Sequence, residues 1–144
     1  MKRILTLASL LLVAAILLCA CGKEPYSELT QDMTNAPDPT IVGFWYDVVQ
    51  TNTQMDDVWE YRADGTLYLH QIDKEGVIRT SIEGTYSIED GKLIQKLPQA
   101  TLTYISYEVI SDSLAVKEYA KDANGKTFVK DSAFARYTNT VYKR

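Results

Sequence analysis

Histidine occurs once in these 144 residues and cysteine twice, and neither cysteine, Cys19 nor Cys21, lies in the body of the chain. With no thiol beyond position 21, the body closes no disulfide and holds no thiolate metal site or nucleophile, so its fold stands on packing. The single histidine, His70, comes without a Gly-x-Ser-x-Gly elbow or a His-Glu-x-x-His helix, and no glycine-rich phosphate cradle is present. The chain therefore reads as non-enzymatic and free of cofactor and metal; hydrolysis would have His70 alone to rest on. Basic residues are outnumbered, 15 Lys and Arg against 19 Asp and Glu for a net charge of −4, and no basic run is interleaved with aromatics. Such a footprint excludes nucleic acid as a partner. Apolar spacing of the helical kind is missing too, which sets aside the helical classes.

What the chain does have is one long apolar run. Met1-Lys2-Arg3 leads into Ile4 through Ala20, with only Thr6 and Ser9 as polar interruptions. Positive charges, an apolar stretch and small closing residues make 1–20 a secretory signal peptide, whereas a spanning helix needs about 20 apolar residues and no cleavage signal.

The run closes on Leu18-Cys19-Ala20-Cys21, which resembles the lipobox of bacterial lipoproteins. Leu18 stands before Cys19 where a small residue is required, so Cys21 is the lipidated cysteine. An ordinary secretory signal or an uncleaved anchor is the alternative. The resemblance implies two or three acyl chains of the palmitate kind, each buried methylene worth about 0.8 kcal/mol, and so a membrane reached through lipid alone. The expected location is the bacterial cell envelope; Gly22, with no Asp after the cysteine, resembles lipoproteins sorted to the outer membrane where the source has two membranes.

Residues 21–40 read as the lipidated cysteine and a flexible linker. The composition turns to Lys, Glu, Ser, Thr, Gln, Asp and Asn, with Pro25, Pro37 and Pro39 and no apolar period. Extended, such a linker reaches roughly 60 Å, and as a coil about 25 Å, enough to hold a domain clear of the headgroups.

From Ile41 onward, short runs rich in Val, Ile, Tyr, Thr and Trp alternate with turn signals at Asn52-Thr53-Gln54, Asp64-Gly65, Glu75-Gly76, Asp90-Gly91, Pro98-Gln99, Asp112 and Asn124-Gly125. The spacing predicts eight strands, roughly 41–50, 56–63, 66–72, 77–88, 92–97, 101–110, 114–120 and 126–138. Loops this short forbid parallel crossovers. The class is therefore all-β, an eight-stranded antiparallel up-and-down meander closed into a barrel so that no edge is exposed, over a domain of 41–139 with a tail of 140–144.

Register follows from turn chemistry. A three-residue loop, Ala63-Asp64-Gly65 with Gly65 at positive φ, sets Tyr61 opposite Leu67 and Trp59 opposite Leu69, and turns Glu60, Arg62 and His70 to the other face. The same choice at Ala123-Asn124-Gly125 sets Ala120 opposite Phe128, Leu114 opposite Phe134 and Glu118 opposite Lys130. In the fourth strand, Ile78, Ile82, Gly84, Tyr86 and Ile88 would share one face.

Gly43-Phe44-Trp45, heading a meander, resembles the lipocalins and wider calycins, as do the blocks 61–67 and 83–88. That resemblance implies a tryptophan, Trp45, at one end of the barrel interior with Gly43 beside it and Arg136 from the last strand packed across the ring. The Asp-containing motif and C-terminal helix of those families are not evident. Inward Trp45, Trp59, Tyr61 and Tyr86 would line a pocket for a small apolar or amphipathic ligand; the same rings would equally serve as ordinary core. The alternative function is a protein-interaction, inhibitor or accessory module with a filled core, using Tyr68, Tyr104 or Tyr107 on the outer wall. Asp56-Asp57 reads as turn chemistry, and Asp122-Ala123-Asn124-Gly125, similar to a fragment of a calcium loop, as a hairpin turn.

Overall fold

The computed structural model describes residues 24–26, 31–49 and 54–143; the leader, Cys21 and the turn residues Asn52 and Thr53 lie outside them. After a short 3-10 turn at Met33–Asn35, nine strands follow: β1 (Gly43–Asp47), β2 (Met55–Tyr61), β3 (Thr66–Asp73), β4 (Ile78–Glu89), β5 (Lys92–Leu97), β6 (Ala100–Tyr104), β7 (Ser106–Ile110), β8 (Ser113–Lys121) and β9 (Thr127–Arg136). All neighbours are antiparallel, in the order β6-β5-β4-β3-β2-β1-β9-β8-β7. Glycines set the turns: Gly65 takes φ +84° and Gly125 φ +78°, while Asp90 and Gly91 are both positive, the hand that a two-residue hairpin requires.

The expected closed barrel of eight strands is corrected here. The sheet has nine strands, curls through only 204° and remains an open half-barrel with its edges 5 Å apart. The stretch read as one strand, 101–110, breaks at Ile105, whose N–H donates to the Lys117 carbonyl at 2.8 Å. Before the break β6 pairs only with β5, and after it β7 pairs only with β8. Closure needs one strand bonded to both neighbours along its length; here two five-residue pieces each serve one side. Because β5, β6 and β7 are short, the longer β4, β8 and β9 rise past them and the wall is missing there.

Both hairpin registers follow the three-residue loops. Tyr61 faces Leu67 and Trp59 faces Leu69, and β8 meets β9 with Leu114 opposite Phe134 and Glu118 opposite Lys130. The concave face gathers Ile41, Trp45, Tyr61, Leu67, Tyr86, Leu93, Tyr104, Leu114, Val116 and Phe134 into one core. A second, smaller core of Phe44, Val58, Ile72 and Val141 lies on the convex face. Ile78 joins this outer core instead of sharing a face with Ile82, because a register shift after Gln71 places Ile78 opposite Ile72 and leaves Arg79 as the extra residue.

Residues 24–26 and 31–40, linker-like in composition, lie against the domain. Pro25 bridges to Tyr142, Ala63 N–H donates to the Gln31 side chain, and Tyr107 Oη donates to Asp38 at 2.7 Å.

One glycine is fixed by close approach. A Cβ on Gly84 would collide with the Lys96 carbonyl and with Leu97 across the β4–β5 pair. Gly84→Ala is expected to lower stability by about 1–3 kcal/mol through overpacking, read from the shift in urea midpoint; an unchanged midpoint would mean that β5 yields freely.

Candidate functional site

The inner face is filled by the chain's own rings. Trp45 is buried, donates Nε1–H to the Ile41 carbonyl at 2.7 Å, and carries the Arg136 guanidinium 4.2 Å above its ring. That guanidinium in turn donates to the carbonyls of Val42 and Thr40 at 3.2 and 3.3 Å. Gly43, at φ +131°, leaves room for it: a Cβ there would stand 2.7 Å from Arg136 Nη1.

Tyr61 and Tyr86 meet edge to face at 5.0 Å. The Tyr86 hydroxyl donates to the Arg62 carbonyl at 2.6 Å, and the Tyr61 oxygen accepts from Gln95 Nε2. Burial pushes both phenols above the ordinary tyrosine range. Trp45, Tyr61 and Tyr86 therefore occupy the space that a ligand would need. Trp59 alone of the four faces a cleft, about 290 Å³ at the unwalled upper end, beside Leu69, Tyr104, Glu118 and Lys130. A ligand sealed inside a barrel is thus corrected, since the sheet does not close.

The three outer-wall tyrosines of the alternative reading are placed differently from expectation. Tyr104 is buried in the inner core, Tyr107 packs beneath it and binds Asp38, and only Tyr68 lies on the convex face, stacked on His70 at 5.5 Å. Asp56 and Asp57 belong to β2.

The convex face carries a buried polar cluster instead. Val58 pairs with His70 and Glu60 with Tyr68, so Glu60 and His70 are diagonal neighbours on one face. Glu60 Oε2 lies 2.7 Å from His70 Nε2 and accepts from the Tyr26 hydroxyl at 2.9 Å, while Oε1 accepts from Arg62 Nε at 2.8 Å. On its other side, His70 Nδ1 meets Ser81 Oγ at 2.7 Å, the residue directly opposite on β4. Glu60 and His70 are only 3% and 2% exposed. The rings of Tyr26, Phe44 and Tyr68 wall the imidazole in, and the Arg62 guanidinium covers Tyr68 at 4.4 Å.

A carboxylate only accepts, so Nε2 carries the proton toward Glu60. Burial works to raise the Glu60 pKa, but hydrogen bonds from His70, Arg62 and Tyr26 outweigh it and hold the carboxyl below its usual range. Burial first, then the Glu60 charge, pushes the Tyr26 phenol up to about 12. A row of hydroxyl, imidazole and carboxylate activates nucleophiles in hydrolases. Here the imidazole lies between rings and Ser81 is exposed on β4, and the row ties Tyr26, β2, β3 and β4 together through consecutive hydrogen bonds.

The three-residue loop puts Glu60, Arg62 and His70 on one outward face, as observed, but strand alternation alone does not show that His70 is buried there. Tyr26, which seals the cluster from a polar stretch 34 residues before Glu60, gave no local signal. Beside the cluster opens a cleft of about 420 Å³, lined by Gln31, Asn35, Glu60, Arg62 and Asp64 among others. Among the described residues, no group of three or more His, Cys, Asp or Glu side chains could hold a metal.

A curved nine-stranded antiparallel half-barrel of this kind belongs with barrel-like, calycin-like folds in the general sense, without the marks of a specific lipocalin family. No family model, curated protein or solved structure matches the chain.

Proposed function

We propose that this is a lipid-anchored protein of the bacterial envelope that acts without catalysis, by offering the outer wall of its half-barrel to a protein partner. Anchoring is supported by the charged and apolar leader and by the lipobox-like Leu18-Cys19-Ala20-Cys21. The observation that carries the interaction reading is the contrast between the two faces. The concave side is filled by Trp45, Tyr61 and Tyr86 apart from a cleft of about 290 Å³ beside Trp59, while the outer wall holds a larger charged cleft, about 420 Å³, beside the hydrogen-bonded Glu60–Arg62–His70 cluster. Charged groups held in fixed positions at the rim of a cleft favour recognition of a complementary protein surface.

The test places a photo-activated cross-linking residue at Asn35 or Asp64 in the full chain, in its own envelope. A discrete protein adduct is expected from both positions and absent from a probe at Glu108, and the adduct at Asp64 is expected to be lost when Asn35→Trp fills the cleft. Adducts at Glu108 equal to those at Asn35 and Asp64 would overturn the assignment. Cys21→Ser is expected to release the protein from the membrane fraction.

A further inference from the structure

The point where the tether leaves the domain and the exposed apolar side chains lie at one end of the sheet. Strand alternation puts the end of β1, the start of β2, the β3–β4 turn and the β8–β9 turn at that end. Glu24 is stitched to it: its carbonyl accepts from Lys143 N–H at 2.9 Å, and the neighbouring Tyr142 exchanges hydrogen bonds with Gly76 and Ile78 at 2.8 and 3.0 Å. From Cys21 to Glu24 is three residues, at most about 10 Å of chain. An acylated Cys21 therefore holds this end at the headgroups, and the domain cannot stand clear of them.

Five of the eight exposed large hydrophobic residues among those described are here: Val48, Val49, Tyr119, Phe128 and Val129, with Val49 76% and Tyr119 66% exposed. Three of them ride on a ribbon that outruns its neighbours. β7 pairs with β8 only as far as Lys117, and β1 pairs with β9 only from Phe134 on. Beyond those limits, Tyr119 faces Val129 on one side of the ribbon, and Ala120 faces Phe128 on the other. A groove on a protein covers one face of such a ribbon; a lipid interface covers both.

At the tip stand Lys121 and Lys126, with the Asp122 carboxylate between them accepting from the N–H groups of Asn124 and Lys126 at 2.9 Å each, and Lys130 lies lower, paired with Glu118 at 3.6 Å. Long lysine stems lie along apolar surface while their ammonium groups reach phosphate. Resting on the anchoring proposed above, we infer that the β8–β9 ribbon and the Val48-Val49 corner dock on the lipid surface, seated among phosphate-bearing headgroups, so that the Asn35–Asp64 cleft at the opposite end faces away from the membrane.

The lipidated protein carries its own test, because acylation of Cys21 and loss of the leader would leave no free thiol. Tyr119→Cys and, as control, Ile110→Cys are each labelled with an environment-sensitive fluorophore. Both are reconstituted in vesicles of phosphatidylethanolamine and phosphatidylglycerol. The label at 119 is expected to shift to the blue, to be quenched by brominated acyl chains, and to be at least fivefold less accessible to iodide than the label at 110. Equal iodide access at the two positions, with Cys21 acylated by mass, overturns the docking and leaves the anchor standing. An unmodified Cys21 overturns both. Shielding of position 119 in cells but not in vesicles assigns the ribbon to a protein and overturns the lipid assignment.

Discussion

Trp45→Ala is expected to lower the stability of the domain by about 3–5 kcal/mol, the usual cost of deleting a large buried ring. The indole is fully buried at the junction of β1, β2 and β9, so the surrounding strands cannot collapse far into the space it leaves. Two further losses add to the cavity. Ile41 loses the donor to its carbonyl, and Arg136 loses the ring beneath it, a contact worth roughly 0.5–2 kcal/mol. Arg136→Ala, which keeps the core and removes only the cover, should cost clearly less. Denaturant unfolding followed by circular dichroism measures both, and a Trp45→Ala loss below about 1 kcal/mol would mean that this ring is not central to the core.

Glu60→Ala is expected to cost about 2–4 kcal/mol, toward the lower side of what removing one partner of a buried ion pair costs, because Arg62 is partly exposed and recovers water. The lost carboxylate strands the Tyr26 hydroxyl and His70 Nε2, both of which point at it. The sign of the pH dependence follows from the same contacts. Glu60 has a lowered pKa in the folded protein, so its contribution is present above the unfolded value of about 4.3 and is lost as pH falls through the folded value. Glu60→Gln should flatten the acid limb of the stability curve below about pH 4.3. At the alkaline limb, the unfolded chain ionises Tyr26 near the ordinary phenol value of 10.0 while the folded chain resists until about 12. Stability therefore falls as pH rises across that interval, and Tyr26→Phe should remove that part of the fall. An acid limb unchanged by Glu60→Gln would place the carboxylate outside the balance.

Much of the sheet was legible because two local rules agreed at each hairpin. At Ala63-Asp64-Gly65, the loop that allows Gly65 a positive φ is also the loop that collects Tyr61, Leu67, Trp59 and Leu69 on one face, and the observed pairs follow it. The break at Ile105 carries a sequence signal of its own. Tyr104 points into the core on an even position, whereas Tyr107 and Val109 do so on odd ones, and a change of parity within one run means that the strand kinks or changes partner. Ile78 shows the same effect on a smaller scale, where one extra residue after Thr80's pair turns it to the outer face.

Closure was not legible, since it depends on how far distant strands run past one another and not on any one turn. Nor was the sealing of Glu60 and His70. Periodicity assigns a residue to a face, but the cover over that face comes from Tyr26 and Val141 at the two ends of the chain. Polar composition made 21–40 read as linker, although Pro25, Tyr26, Gln31 and Asp38 each meet partners far along the sequence.

The most direct measurement is a titration of the lipidated protein with an apolar fluorescent probe, followed through the emission of Trp45 and Trp59. A half-barrel whose concave face is filled by its own rings gives no saturable change in either tryptophan. One-to-one saturable quenching, abolished by a bulky substitution at Leu69 beside Trp59, would contradict the filled core and the function assigned to the outer wall.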